Sequence, residues 1–346
     1  MKFGLFSHIP WPEGTDQKQI LEELTDEAQV GEALGFVGIW MAEHHFTRYG
    51  LGASSLMLAS YIAAHTTTIR LGTAVLVPPL HQPIRLAEDI ATLDLLSGGR
   101  VDLGFGRGSA SSEYTGYGVD REESQERFQE TINAIKGLWT TSNYSFNGEY
   151  VQIDKANLVP RPLQQPHPPI YIAATRSSAT MDFLVSTGHP LIIGVVLDTE
   201  NALDLCRRFV DLSAKAGHNV PMSEIPFSRY VFVGETEEQV KSDTEAALNW
   251  TVDMIQWRPT FTEGSEVNEK LEDWRNTRTE TPPNYDYLYD KRCIMGTPEQ
   301  CVAQIKELQQ QGIEHLFCNF SFGALDHGKV IRSMELFSKE VMPNFS

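Results

Sequence analysis

Apolar and polar positions along the chain follow two alternating periods, which predict strands and helices in turn. Short apolar runs of strand length occupy residues 2–8, 36–41, 69–73, 100–104, 170–174, 191–196, 227–233 and 315–320. Longer segments with helical spacing occupy 20–34, 54–65, 84–96, 122–139, 177–187, 200–216, 237–255, 297–311 and 329–341. Asp16 is a candidate N-cap for the first helix and Gly35 a candidate stop. Strands that alternate with helices predict βαβ units and a parallel sheet.

Eight strands with alternating helices fit a closed barrel better than an open sheet. We therefore predict an α/β protein with a (β/α)8 TIM-barrel fold and a single domain over residues 1–346. Polar clusters follow the second, third and fourth strands. In barrels and in doubly wound sheets alike, function collects at the carboxyl ends of parallel strands.

Two segments interrupt the alternation. Residues 140–169 contain a predicted hairpin that turns at Asn147 and Gly148, followed by a proline-rich passage, which we interpret as an excursion between the two halves of the barrel. Residues 256–292 are polar and carry Trp257 and Trp274, which predicts a long mobile loop before the last strand. Such a loop is either an active-site lid or a mobile surface insertion, and we favour the lid.

The stretch 38–50 passes from an apolar run directly into Glu43, His44 and His45. This pattern is typical of a buried strand that delivers polar side chains to a site. A histidine pair beside a carboxylate can hold or move a proton near neutral pH. The pair could equally be an exposed loop or be satisfied by backbone groups, and no second ligand spacing supports a metal site.

Two turns after strands are candidate anion sites. Arg107 lies between Gly106 and Gly108, where glycine lets backbone amides approach an anion and arginine offers a fork for phosphate. Thr175, Arg176 and Ser177 follow another strand and open a helix. A tight turn and ordinary helix capping are the alternatives. Together the two turns could hold the phosphate of a monophosphate cofactor.

Composition narrows the function classes. The chain has 346 residues, 41% hydrophobic content and a net charge of −18, which argues against a nucleic-acid binder. We find no apolar run of membrane-spanning length and no signal peptide. The four scattered cysteines show neither metal spacing nor the density of a disulfide scaffold. They indicate reduced thiols in a cytoplasmic protein.

Several motifs in order give the chain a family resemblance. They are MKFGLF at the start, EHHFT at 43–47, LGTAVLVPPLHQPIR at 71–85, FGRG at 105–108, GTPEQC at 296–301 and MELFSKEVMP at 334–343. With them the chain resembles the bacterial luciferase-like flavin-dependent monooxygenases, and the luciferase alpha subunit branch in particular. The likeness covers nearly the whole chain.

The resemblance implies a cofactor and a catalytic centre. The fold would be a TIM barrel that uses O2 and reduced FMN, the latter supplied by a separate flavin reductase. His44 would be the catalytic histidine, supported by His45 and Glu43. Residues 256–292 would match the family's mobile loop. The resemblance also implies a homodimer through barrel helices.

The same resemblance implies where the flavin lies. Thr73, Ala74 and Val75 would pass beside the isoalloxazine, with a strained or cis peptide between Ala74 and Val75. The FMN phosphate would be held by four side chains from the two turns described above, namely Arg107, Thr175, Arg176 and Ser177.

The chain departs from the luciferase alpha subunit at several positions. Gly106 replaces a reactive cysteine, Gly194 a tryptophan and Ala110 a bulky aromatic residue, while Thr175 and Arg176 replace a serine-and-glutamate turn. These changes open the pocket and alter its polarity. Light emission and long-chain aldehyde specificity therefore do not follow from the resemblance, whereas flavin binding does.

The expected function is a two-component monooxygenase. It would use reduced FMN and O2 to oxygenate an aldehyde, ketone or similar small organic substrate through a flavin hydroperoxide. One alternative is a deazaflavin-dependent dehydrogenase on the same fold. The other is a non-catalytic partner subunit, against which the retained His44 argues.

Overall fold

A computed structural model of the chain describes residues 1–175, 177–257, 271–278 and 282–345. Its strands are β1 (Lys2–Ser7), β2 (Gly38–Met41), β3 (Arg70–Leu76), β4 (Val101–Phe105), β5 (Tyr144–Asn147), β6 (Gln152–Ala156), β7 (Ile170–Ala173), β8 (Leu191–Ile192), β9 (Phe227–Val233), β10 (Cys293–Gly296) and β11 (His315–Asn319).

The helices follow the strands in the predicted alternation. They are α1 (Gln17–Leu34), α2 (Ser55–His65), α3 (Pro83–Leu96), α4 (Ser111–Tyr117), α5 (Ser124–Thr140), α6 (Ser178–Thr187), α7 (Thr199–Lys215), α8 (Glu237–Trp257), α9 (Leu271–Thr277), α10 (Tyr285–Arg292), α11 (Pro298–Gln310) and α12 (His327–Leu336).

The main sheet is parallel and curls on itself. In the part of the chain that is described, nine strands pair in the order β10-β9-β11-β1-β2-β3-β4-β7-β8. Ile193, just after β8, forms a parallel bridge with Phe227 at the start of β9. This bridge joins the β8 edge back to β9, as a TIM-barrel-type fold requires.

Side chains of the strands alternate between two buried layers, because helices cover the outside of the sheet. Phe6, Trp40 and Phe317 belong to the cluster inside the curl. Leu5 and Ile39, from the same strands, lie in the larger cluster beneath the helices. Both faces are therefore apolar, which explains why the strands appear as apolar runs in the sequence.

Glycine makes room for the largest interior side chain. A Cβ on Gly72 would lie 2.1 Å from the Trp40 ring. Gly72 and Trp40 are register partners on β3 and β2. A side chain at position 72 would therefore displace Trp40 and disturb the packing inside the sheet.

The structure confirms the barrel fold and the eight predicted strands, and it adds elements that the sequence pattern did not predict. β10 pairs with β9 and is too short to stand out as an apolar run. α4 is a seven-residue helix whose sequence, SSEYTGY, carries no apolar periodicity. The hairpin predicted in the 140–169 excursion is confirmed as β5 and β6, with Asn147 paired to Gln152.

The predicted loop 256–292 is partly helical where it is described. α8 extends to Trp257, and α9 and α10 lie within the segment. The segment leads into β10 and not directly into the final strand. Residues 258–270 and 279–281 lie outside the described residues. We also find, over the described ranges, no helix with the length and hydropathy needed to cross a membrane.

Candidate active site at the carboxyl ends of the strands

The candidate residues gather at one end of the sheet because they follow parallel strands. Glu43, His44 and His45 come after β2, and Thr73 to Val75 form the second half of β3. Arg107 follows β4, and Thr175 and Ser177 follow β7. Arg176 lies outside the described residues.

Glu43 is the centre of a buried hydrogen-bond cluster. Its Oε1 accepts from Nε2 of His45 at 2.8 Å and from Nε2 of His81 at 2.9 Å. Its Oε2 accepts from the Val77 amide at 3.0 Å. Burial would raise the pKa of Glu43, but these hydrogen bonds outweigh it and lower the pKa to about 2. The carboxylate is therefore charged at neutral pH and fixes both histidine rings.

The two neighbouring histidines are held by different partners. His44 donates from Nδ1 to Oε1 of Glu113 at 3.2 Å, and the His45 amide donates to the same oxygen at 3.2 Å. Glu113 is almost fully buried, whereas 16% of the His44 side chain is exposed. The Tyr117 hydroxyl lies 3.2 Å from Nδ1 of His45. Of the two adjacent histidines, His44 is thus the one that solvent or substrate can reach, and Glu113 orients it.

His81 is the second histidine that Glu43 holds. Burial lowers the pKa of His81, but the hydrogen bond to Glu43 and its charge raise it by more, so the net shift is upward. In the described part of the chain, no group of three histidine, cysteine or acidic side chains has an arrangement that could hold a metal ion. The geometry is that of a carboxylate-anchored proton site.

Aromatic rings line the approach to His44. The His8 ring, just after β1, is stacked on the His44 ring with centroids 6.1 Å apart and an interplanar angle of 18°. Tyr49 contacts both, at 4.6 Å from His44 and 5.0 Å from His8. His44 therefore lies beside His8 and Tyr49 at the carboxyl-end mouth of the curled sheet, after β1 and β2.

The β3 segment beside this mouth is tightly fixed. Thr73 Oγ1 donates to the Gly104 carbonyl at 3.0 Å and accepts from the Gly104 amide at 3.1 Å. The peptide bond between Ala74 and Val75 is cis, as the resemblance implies. A Cβ on Gly106 would lie 2.4 Å from Cγ2 of Val75. Glycine at 106 is thus matched to the position of Val75.

The two predicted anion turns meet through α5. Arg107 Nη1 donates to Ser124 Oγ at 3.3 Å. Ser177 caps α6 by accepting from the Thr180 amide at 3.2 Å, and its hydroxyl lies 3.5 Å from Oε1 of Gln125. Gln125 Nε2 is buried and lacks a hydrogen-bond partner among the described residues. Adjacent Ser124 and Gln125 therefore connect the Arg107 turn to the Ser177 turn, and they leave a buried donor between them.

Two other predicted positions differ in their surroundings. Thr175 is exposed, so its contribution to an enclosed site depends on a ligand that covers it. At Gly194 an added Cβ would meet no atom within 4 Å of the described structure. The absence of a side chain there leaves open space after β8, in line with the expected opening of the pocket.

Several site residues were missed in the sequence. Glu113 and Tyr117 lie on α4, which no periodicity predicts, and Gln125 carries no local motif. His81 lies in the quoted LGTAVLVPPLHQPIR segment, so the motif could have identified it. These residues come from separate loops and helices, and only the fold places them beside the histidine pair.

The end of α8 and the start of α9 lie against this region. Tyr49 packs in one apolar cluster with Trp250, Met254, Trp257 and Leu271. Buried Asp253 on α8 accepts from Arg275 at 2.5 Å and from Arg278. These ion pairs hold α9 against α8, and Tyr49 connects the assembly to His44.

Comparison with known proteins gives one family. A family model described as luciferase-like monooxygenase matches residues 1–315. The oxygenase component of the flavin-dependent trigonelline monooxygenase of Acinetobacter baylyi is 30% identical, over 100% of this chain and 96% of that protein. An alkanal monooxygenase alpha chain from the Kryptophanaron alfredi symbiont is 27% identical, over 99% of this chain and 98% of that one.

A solved structure extends the comparison to the fold. The oxygenating constituent of 3,6-diketocamphane monooxygenase of Pseudomonas putida, a type II Baeyer-Villiger enzyme in complex with FMN, aligns with a TM-score of 0.79. The alignment covers 99% of this chain and 98% of that one at 19% sequence identity.

Proposed function

Because the chain belongs to the luciferase-like monooxygenase family, we propose that it is the oxygenase of a two-component system that uses reduced FMN and O2. The substrate is an aldehyde, ketone or similar small organic molecule, oxygenated through a flavin hydroperoxide. The name of the Acinetobacter relative, an oxygenase component, supports a separate flavin reductase as partner.

The observation that carries the proposal is the partly exposed His44 held by buried Glu113. A carboxylate that accepts from Nδ1 fixes the proton on that nitrogen and makes Nε2 the atom that can exchange a proton with a reacting group. The neighbouring Glu43 cluster keeps the backbone and His45 in place. General acid–base catalysis needs a group positioned in this way within reach of the proton that it transfers.

The residues between the two turns suit the phosphate of FMN. Arg107 supplies charge, the α6 N-terminus supplies backbone donors, and the Gln125 amide is a buried donor whose partner the described residues do not provide. Thr73 to Val75, fixed by Gly104, would lie beside the isoalloxazine. When bound, the flavin supplies the chemistry with O2, and the chain supplies placement.

Exclusion of water is the second task of the chain. The flavin would supply reactive oxygen chemistry when bound, and a site that excludes water prevents side reactions such as hydrolysis. The apolar cluster of Tyr49, Trp250, Met254 and Trp257 lies next to His44 and shields it from one side. We propose that the 256–292 segment with the end of α8 acts as the lid over the substrate.

The proposal includes a homodimer through barrel helices. Met57 and Tyr61 on α2 and Leu96 on α3 are apolar side chains exposed by 71%, 56% and 71%. α2 and α3 pack side by side, so all three residues lie on the outside of two neighbouring helices, where a second copy could cover them. Size-exclusion chromatography with light scattering should give twice the chain mass. A monomeric mass would contradict the dimer.

We place the protein in the cytoplasm, supported by four buried cysteines that are all free.

Oxygen consumption tests the function. Purified chain, a flavin reductase with its reductant, FMN and a panel of aldehydes and ketones should consume O2 and form product with one atom from labelled O2. Reduction of a deazaflavin by an alcohol, with no O2 consumed, would establish the dehydrogenase alternative. If neither reaction occurs with any member of the panel, the result would support the non-catalytic partner subunit.

A further inference from the structure

On β11 and β9, two and three strands away from β2 in the sheet, two buried polar atoms lack partners. The Tyr230 hydroxyl on β9 and Oδ1 of Asn319 at the end of β11 make no hydrogen bond within the described ranges. Tyr230 is 1% exposed and Asn319 is 0% exposed. Buried polar groups are almost always paired, so two such atoms together indicate a missing partner.

The fold places these two atoms on the same face. Asn319 and Tyr230 are register partners on neighbouring parallel strands, so their side chains project to the same side of the sheet. Tyr230 packs in the interior cluster with Phe6, Trp40 and Phe317. Both atoms therefore face the inside of the curled sheet, at the end where the active-site residues lie.

The hydrogen bond to His8 determines what the Asn319 amide can still offer. Asn319 Nδ2 lies 3.3 Å from Nδ1 of His8. An amide nitrogen can only donate, so Nδ1 of His8 accepts and the opposite atom, Oδ1, is left as an acceptor. Since His8 stacks on His44, the Asn319 amide is connected to the catalytic histidine through one ring.

The surroundings of the pair are aromatic. The Phe6 ring lies 4.6 Å from the His8 ring, and the Phe322 ring lies 5.4 Å from the Tyr230 ring. A ligand that reaches the two unpaired atoms would therefore be an apolar body with one polar group.

We propose that Tyr230 and Asn319 form the polar end of the substrate site and that the substrate carries a hydroxyl group, alcoholic or phenolic. The hydroxyl accepts from Tyr230 and donates to Asn319. A carbonyl or an ether could accept from Tyr230 but could not satisfy Oδ1 of Asn319. This inference rests on the proposed function, because it takes the barrel mouth as the substrate site.

Binding of small probes to the full chain without flavin tests the proposal. We would measure ligand-observed NMR titrations with phenol, anisole and toluene, which share one ring, and with cyclohexanol against cyclohexanone. The hydroxyl probes should bind about tenfold more tightly than their matched ether, hydrocarbon or ketone, as expected for loss of one buried hydrogen-bond partner.

Two variants locate the effect. Tyr230→Phe and Asn319→Leu should each abolish most of the preference for the hydroxyl probes, and circular dichroism checks that both are folded. Tyr285→Phe is the matched control, because the Tyr285 hydroxyl bonds Thr244 and lies in α10. It should keep the full preference.

The alternative occupant is an ordered water that bridges the two atoms permanently. In that case phenol and anisole would bind alike and Tyr230→Phe would change neither, which would overturn the proposal. No flavin or O2 is present, so this result is independent of whether oxygenation occurs. Oxygen consumption without a hydroxyl preference would remove only this inference.

Discussion

Two sides of the barrel mouth use buried polar groups in opposite ways. After β2, both oxygens of Glu43 are occupied, by His45, His81 and the Val77 amide. On β9 and β11, the Tyr230 hydroxyl and Oδ1 of Asn319 are equally buried but have no partner among the described residues.

The paired cluster provides a rigid arrangement, whereas the unpaired atoms are available to recognise a ligand. A fully paired cluster in a low-dielectric interior has one geometry, which suits a histidine that must meet a cofactor in a fixed position. Unpaired buried atoms cost stability, and they persist where a ligand satisfies them. The unpaired Nε2 of Gln125, at the proposed phosphate site, follows the same rule.

The largest expected effect concerns His44. His44→Ala should lower product formation by about 10²- to 10⁴-fold, the usual range for a general acid or base, and leave FMN affinity nearly unchanged. Steady-state turnover and a reduced-FMN titration measure the two quantities. His65→Ala on α2 serves as control because His65 is exposed and bonds only locally to Tyr61. Unaltered turnover in His44→Ala would remove its catalytic role.

Loss of the Glu43 charge should have a large effect on the stability of the fold. Glu43→Gln should lower the free energy of unfolding by about 1.5–3 kcal/mol at pH 7, the scale of a buried hydrogen bond to a charged group. Urea unfolding gives this value. Glu88→Gln, a partly exposed carboxylate paired with Arg85, should cost far less. Equal losses in the two variants would contradict the central role of Glu43.

The same carboxylate predicts a pH dependence. The folded-state pKa of Glu43 is about 2, below the ordinary value of 4.5, so its contribution is fully present above that value. The contribution should fall as the pH drops from about 4.5 towards about 2. Unfolding free energy measured against pH should show a steeper acid limb in the wild type than in Glu43→Gln. Parallel curves would contradict the assignment.

Arg107 should matter for flavin and not for folding. Arg107→Ala should weaken FMN binding by about 1.5–3 kcal/mol, the scale of a hydrogen bond to a charged group. Fluorescence titration of FMN measures it. Arg127→Ala is the matched control, because Arg127 pairs with Glu123 and stacks on Tyr150. Unchanged affinity in Arg107→Ala would place the phosphate elsewhere.

The smallest effect has an unusual sign. Tyr230→Phe removes a buried hydroxyl without a partner and should raise the free energy of unfolding of the ligand-free chain by about 1 kcal/mol. Tyr285→Phe removes a hydroxyl bonded to Thr244 at 3.0 Å and should lower it by about the same amount. Denaturant unfolding of both variants measures these two changes in the free energy of unfolding. A loss in Tyr230→Phe would mean that its hydroxyl is already satisfied.

Much of the barrel was predictable because its strands are buried on both faces and its helices are amphipathic. The predicted positions of Glu43, His44 and His45 were informative because a strand end and a histidine pair coincide in sequence. β10 and α4 were not predictable from periodicity, since four and seven residues are too short to show a period.

The hydrogen-bond partners of the site residues could not be predicted from the sequence for a different reason. Glu113 reaches His44 across 69 residues of sequence, and Asn319 reaches His8 across 311. No local pattern encodes such contacts, because they arise from the closing of the sheet. The unpaired atoms on β9 and β11 likewise become visible only when burial and hydrogen bonds are known for each side chain.

The most direct test of the oxygenase assignment is rapid mixing of the chain and reduced FMN with O2, followed by absorbance. We expect a long-lived flavin hydroperoxide, distinct from reduced and oxidised FMN, whose decay changes when a substrate is present. Immediate return to oxidised FMN, at the rate seen without protein, would contradict it.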